Sequence, residues 1–165
     1  MNFRNLAKLI FKEIEPKLKT NKGLSVFAKE RSKFEGWLKV ELCASLSNKF
    51  KDIAPERNRI DITFSNWAIE LKTVNTNILY KNVKDKKRPI TRNTEGVIKD
   101  IRMLKKLKSF CYSNRAVLFI AFPITHDNKN WQMQLQRIRP LVKKLKHYDF
   151  NFRGDIPAVI YFGII

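Results

Sequence analysis

Four charged side chains interrupt runs that otherwise read as core, and their types suit holding a cation and moving a proton. Asp61 lies between Ile60 and Ile62, while Glu70 and Lys72 lie in Ile69-Glu70-Leu71-Lys72. Side chains alternate faces along a strand, so Glu70 and Lys72 share one face and Ile69 and Leu71 take the other. Asp61, on an adjacent strand, is placed to share the face of Glu70. Two carboxylates on a buried strand repel, and burying ionised groups without partners costs on the order of several kcal/mol. A divalent cation removes both penalties, and Mg²⁺ prefers one or two carboxylates together with water and a substrate phosphate. The fourth charge is Glu41. In a helix expected over 32–48, Phe34, Trp37, Leu38 and Leu42 define an apolar stripe with Glu41 in its middle. Positions three and four away from it hold Trp37, Leu38, Ala44 and Ser45, none of them basic, and Lys39 faces elsewhere. Glu35 lies nearer the stripe's edge, and the run Ser32-Lys33-Phe34-Glu35 assigns it to a capping box. Glu41 is therefore the expected helix contribution to the site, and Glu35 is not.

The elements that must position these groups follow from periodicity. Phe3, Leu6, Ile10, Ile14 and Leu18 make residues 3–19 an amphipathic helix that Pro16 bends or splits. After the break at Asn21-Lys22-Gly23, a second helical stretch runs from Leu24 to about Arg31, and the capping box opens the 32–48 helix. Asn58–Ser65 and Trp67–Val74 read as two antiparallel strands joined tightly at Ser65-Asn66, with Phe50–Ala54 as a preceding strand. Residues 75–93 read as a loop carrying Lys81, Lys84, Lys86, Lys87, Arg88 and Arg92 against Asp85, a local charge of +5. That loop directly follows the chemical strand, which favours phosphate tracking over an idle solvated face. Thr94–Phe110 is helical, with a stripe of Val97, Ile101, Leu104 and Leu107. Arg115–Ile124 and Pro157–Ile165 are apolar on both faces and are expected as buried strands, with a helix over Asn130–Tyr148 between them. The sum is one α/β domain over 1–165, a mixed sheet flanked by helices.

Composition limits the partners. The 165 residues include 34 Lys+Arg against 15 Asp+Glu, a net charge of +19, with 44% hydrophobic and 12% aromatic residues. A folded surface that positive seeks a polyanion, either nucleic acid or an anionic membrane face. No apolar run approaches the ~18 residues of a membrane span, and charge interrupts the N-terminal segment too often for a secretory signal. Membrane binding is the weaker option, because the amphipathic first helix is a sufficient packing element. Two cysteines, Cys43 and Cys111, make no zinc framework, and His126-Asp127 reads as a loop pair without a second cluster. A reduced, cytoplasmic protein is the expectation.

Glu41 on a leading helix, Asp61 on a strand and Glu70-Leu71-Lys72 on the next resemble the PD-(D/E)xK nuclease superfamily. The element order over about 33–123 resembles that family's restriction-endonuclease-like core, αβββαβ. This leaves an N-terminal helical extension over 1–31 and a C-terminal helix–strand pair outside the core. Archaeal Holliday-junction resolvases and the smaller restriction endonucleases are the members nearest in size. Ile60 stands where the family's proline precedes the aspartate. The resemblance implies a Mg²⁺-dependent deoxyribonuclease, with Mn²⁺ able to substitute. Asp61, Glu70 and the Leu71 carbonyl would hold the ion, Glu41 would complete its shell, and Lys72, its pKa lowered, would activate water. It also implies duplex or branched DNA as partner, no membrane, and a homodimer as an allowed assembly. The helix over 94–110 lacks the Gln of the exonuclease branch's Gln-x-x-x-Tyr signature, which favours endonuclease or resolvase activity. The competing class is a non-catalytic basic module for DNA or RNA, in which the four charges are surface residues and Mg²⁺ changes nothing.

Overall fold

In the computed structural model, which describes residues 1–85, 89–107 and 112–165, the apolar runs of the second half pair into one mixed sheet. Helix α1 spans Phe3–Thr20, capped where the Asn2 side chain accepts the Asn5 N–H at 3.0 Å, and Pro16 sits inside it without ending it. Asn21 caps α2 (Lys22–Lys29) by accepting the Leu24 N–H at 3.1 Å. Then come α3 (Glu35–Ser47), β1 (Ala54–Pro55), β2 (Ile62–Phe64) and β3 (Trp67–Asn75). Helix α4 (Ile90–Lys106), β4 (Asn114–Phe122), α5 (Lys129–Ile138), β5 (Lys144–Phe152) and β6 (Ile156–Ile164) complete the chain.

The strand order is β1-β2-β3-β4-β6-β5. β2 and β3 form the expected antiparallel pair, with Phe64 opposite Trp67 and Ser65 in the left-handed region at the turn. β3 runs parallel to β4, and α4 is the crossover between them. β4 and β6 are buried throughout their apolar lengths, as their composition requires. One face of the sheet packs on α1, α2 and α3 through Leu6, Ile10, Ile14, Leu38, Leu42, Ile69, Leu71 and Phe162. The other face packs on α4 and α5 through Val97, Ile101, Trp131, Leu135, Phe119 and Tyr161. Among the described residues no helix is long and apolar enough to cross a membrane.

The strands expected over 50–54 and 58–65 are observed as Ala54–Pro55 and Ile62–Phe64, and two further elements differ. The helix expected over 130–148 ends at Ile138, because Pro140 in the following turn cannot continue an α-helix. The remaining segment becomes β5, an edge strand whose Phe150 and Phe152 face the core while Lys144 and Lys146 stay exposed. Lysines on an outer strand discourage pairing with another chain. The basic loop is also shorter than expected, because α4 begins at Ile90 and takes Arg92 into its first turn. Lys86, Lys87, Arg88 and Cys111 lie outside the described residues.

Arg31 fastens the helical extension to the sheet. It takes a left-handed φ of 53° between α2 and α3 and is 1% exposed. Its guanidinium donates to the carbonyls of Lys84 at 2.5 Å, Ile78 at 2.6 Å and Thr76. A planar fork serving three carbonyls has no substitute in the single ammonium of lysine. Arg31→Met is expected to cost about 3 kcal/mol, since charged hydrogen bonds are lost and buried acceptors are orphaned. Arg31→Lys should recover less than half of that. Urea denaturation reads both, and an unchanged midpoint for Arg31→Met would refute the fastening role.

Candidate active site

The site exists because β2 is short. Glu56, Asn58 and Arg59 take left-handed φ values of 56°, 56° and 63°, and the Glu56 N–H closes the turn on the Asp61 carbonyl at 3.1 Å. β2 therefore begins only at Ile62, paired with Ile69, while β3 runs on to Asn75 with β4 on its other side. Beyond Ile69 the β2 side of β3 has no strand to serve its backbone. Side chains serve it instead. Asp61 Oδ2 accepts the Leu71 N–H at 2.9 Å, and Glu35 Oε1 accepts the Thr73 N–H at 2.9 Å and its hydroxyl at 3.2 Å. Asn75 donates from its side chain to the Arg31 carbonyl at 2.7 Å. A strand residue's N–H and C=O leave on the same side, so the Leu71 carbonyl also points to this open edge.

The register Ile62↔Ile69 sets Asp61 opposite Glu70 on the face covered by α4. The two carboxyls approach within hydrogen-bonding reach. Glu70 is 6% exposed, and its Oε1 is buried and meets no donor among the described residues. Burial and then the Asp61 carboxyl push the pKa of Glu70 up to about 9. Burial also opposes ionisation of Asp61, but hydrogen bonds from Lys39, the Leu71 N–H and Glu70 outweigh it and lower its pKa. The pair thus divides into an ionised Asp61 and a protonated Glu70.

Two cations border the pair. Lys39 Nζ lies 2.7 Å from Asp61 Oδ1 and 3.0 Å from Glu56 Oε1. Lys72, on the same face of β3 as Glu70, lies 2.9 Å from Asp100 Oδ2 on α4. Burial would lower the pKa of Lys72, but Asp100 outweighs it and raises the value. In the bare site Lys72 is thus a held ammonium. Burial raises Asp100 in turn, against the pull of Lys72.

Asp61, Glu70, Leu71 and Lys72 therefore come together, and Glu41 does not. Its Oε2 pairs with Lys17 of α1 at 2.7 Å, and Lys17 also donates to Ser45 at 3.1 Å. The helix residue at the site is Glu35. Ser32 makes no cap, since α3 starts after Phe34 without a side-chain cap, and the carboxylate expected to close a capping box reaches Thr73 instead. Spacing was blind to Lys39, which sits one turn after Glu35 and so shares its face. Asp100 carried a signal, because it falls inside the α4 stripe between Val97 and Ile101, as Glu41 falls inside that of α3. In the basic loop, Lys81 is exposed and Lys84 pairs with Glu30 at 2.9 Å.

The donor set fits a hard dication: two facing carboxyls, a carbonyl on an open edge, and a buried Glu70 oxygen without a donor. No group of three or more His, Cys, Asp or Glu gathers for a metal among the described residues, so water and substrate would have to supply the remaining ligands. Comparison with family models, curated proteins and solved structures finds no match.

The fold favours protonated Glu70, because its pKa stands above the ordinary 4.5. This stabilisation is complete in acid below that value and is lost as pH rises through about 9. Asp61 acts oppositely, its contribution being lost as pH falls. Glu70→Gln mimics the protonated form, so without metal it should stabilise the protein by about 2 kcal/mol more at about pH 8 than at about pH 5. Thermal melts in chelator measure this, and equal shifts at both pH values would refute the shared-proton reading.

Proposed function

We propose that the chain is a metal-dependent phosphodiesterase of the restriction-endonuclease-like type that cleaves DNA as an endonuclease or resolvase. The observation that carries the reading is the opposed Asp61–Glu70 pair, with one buried Glu70 oxygen unserved and Lys72 on the same face. The run α3, β1–β2–β3 meander, α4 and parallel β4 supports it, since that order matches the αβββαβ core. Asp61, Glu70 and the Leu71 carbonyl would hold Mg²⁺ or Mn²⁺, with Glu35 rather than Glu41 as the acid from the helix. Bound there, the dication supplies Lewis acidity and neutralises charge on the scissile phosphate.

The chain's own residues do the rest. Lys72 donates from Nζ to orient the attacking water or a phosphate oxygen, and Asp100 fixes where that ammonium points. Lys39 holds Asp61 ionised and in place until the ligands are recruited. Glu35 locks the Thr73 backbone, and with it the pitch of β3 that presents Glu70 and Lys72 together. Lys81, Lys84 and Arg92 belong to the basic run that follows β3 in sequence and would add to the attraction of a phosphodiester backbone.

Purified protein incubated with plasmid, linear and branched DNA, with and without Mg²⁺, tests the reading. Cleavage should require the metal. Asp61→Asn and Glu70→Gln should abolish it, and Lys72→Ala should slow it by about 10²-fold or more while DNA binding persists. Glu41→Gln should cleave like the parent. DNA binding with no metal-dependent cleavage would leave the chain as a basic binding module.

A further inference from the structure

A groove of about 750 Å³ lies between α1 and β5. It sits on the sheet face opposite the carboxylate pair, because α1 packs on the other side from α4. It is also three strands beyond β3, roughly 14 Å at the usual spacing. Arg4, Lys8 and Lys12 line one wall and Lys146 the other, all exposed. The one carboxylate in the lining, Glu15, is held by Lys19 at 2.8 Å. Arg4, Lys8 and Lys12 recur every fourth residue, so they stand on one side of α1 about 6 Å apart along its axis. That interval is close to the step between neighbouring phosphates on an extended strand. Two rings lie among these cations. Phe11 and Tyr148 face each other across the groove with centroids 6.3 Å apart at a 40° tilt, and Tyr148 is 44% exposed.

We infer that this groove binds single-stranded nucleic acid, with Arg4, Lys8, Lys12 and Lys146 tracking phosphates and Tyr148 and Phe11 receiving unstacked bases. Charge complementarity selects a polyanion, and the interleaved aromatic rings select one whose bases are free to stack, which a duplex does not offer. An anionic bilayer is disfavoured by shape, since it needs an apolar crest rather than a cation-lined cleft with its rings set between two walls. The groove is a second site. A strand lying in it cannot at the same time lie on the Asp61–Glu70 face without passing round the β5 edge. The inference shares with the proposed function the class of polymer and nothing of the chemistry.

Binding of a fluorescent single-stranded oligonucleotide in chelator, across a salt series, tests it without involving cleavage. A Lys8→Gln/Lys12→Gln/Lys146→Gln variant should bind at least ten-fold more weakly and lower the log–log salt slope by about 2. Tyr148→Ala should weaken binding several-fold with the slope unchanged. Circular dichroism melts check that the variants fold, and Tyr148→Leu, which keeps apolar contact with Phe11, guards against a packing artefact. Parental affinity and slope in the triple variant would overturn the groove. So would anionic-vesicle binding that the oligonucleotide does not displace, duplex preferred over single strand by the same residues, or a dimer that the triple variant breaks. Cleavage measured separately on the triple variant keeps the two readings apart. Groove binding without any metal-dependent cleavage removes only the nuclease, and cleavage with a silent groove removes only this site.

Discussion

An unfinished strand pair governs the molecule's chemistry. β2 meets β3 at Ile69 and goes no further, because the left-handed residues Glu56, Asn58 and Arg59 turn the chain back before it can extend the ladder. Backbone N–H groups left on a half-buried edge need acceptors. Asp61 and Glu35 fill the places a strand would have filled, opposite the N–H groups of Leu71 and Thr73, and the Arg31 carbonyl holds the Asn75 side chain just beyond. The acids are thus fixed by the backbone they serve. Fixing them there brings Asp61 against Glu70 and leaves the Leu71 carbonyl on the same open edge.

Electrostatics then sorts four acids by what reaches them. Asp61 has an ammonium and an N–H and stays ionised, and Glu35 has two donors from Thr73. Asp100 has Lys72. Glu70 is buried against Asp61, the attraction of Lys72 is outweighed, and a proton is the counter-charge it takes in the bare site. A structural ion-pair network would be expected to satisfy its innermost member, and this one satisfies its periphery. On the proposed reading, that inversion leaves a place for a cation.

Much of this was legible in the sequence because it depends on alternation. Apolar runs flanking Asp61 and Glu70 located the hairpin, the period of two set Glu70 and Lys72 on one face, and two-sided hydrophobicity marked β4 and β6 as interior. Helix spacing carried less. It identifies the stripe a residue belongs to but not what lies across from it. Glu41 lacks a local partner, but Lys17 of α1 supplies one from 24 positions away. Glu35 has a local role open to it, yet its carboxylate serves the β3 edge instead. β5 has a helical look because its lysines dilute the alternation that Phe150 and Phe152 express, and Pro140 is the cue that outranks the period.

The sheet also decides where function has room. β4 and β6 are covered on both faces, so polar chemistry at their centres would carry the full cost of desolvation. The flanks are more open: β1 and the abandoned edge of β3 on one side and β5 on the other. Acids were placed on the first, where backbone donors hold them. Cations were placed on the second, where α1 presents them on one side of a helix over an edge strand already guarded by lysine. A net charge of +19 therefore does not spread as a uniform field. Asp61, Glu70 and Asp100 gather beside β3 while Arg4, Lys8, Lys12 and Lys146 line the groove beside β5, so the local sign of charge differs between the two flanks. A surface of that net sign draws polyanions in general, and on the proposed reading the acidic flank would take one only through a cation. On that reading attraction and chemistry fall to different residues.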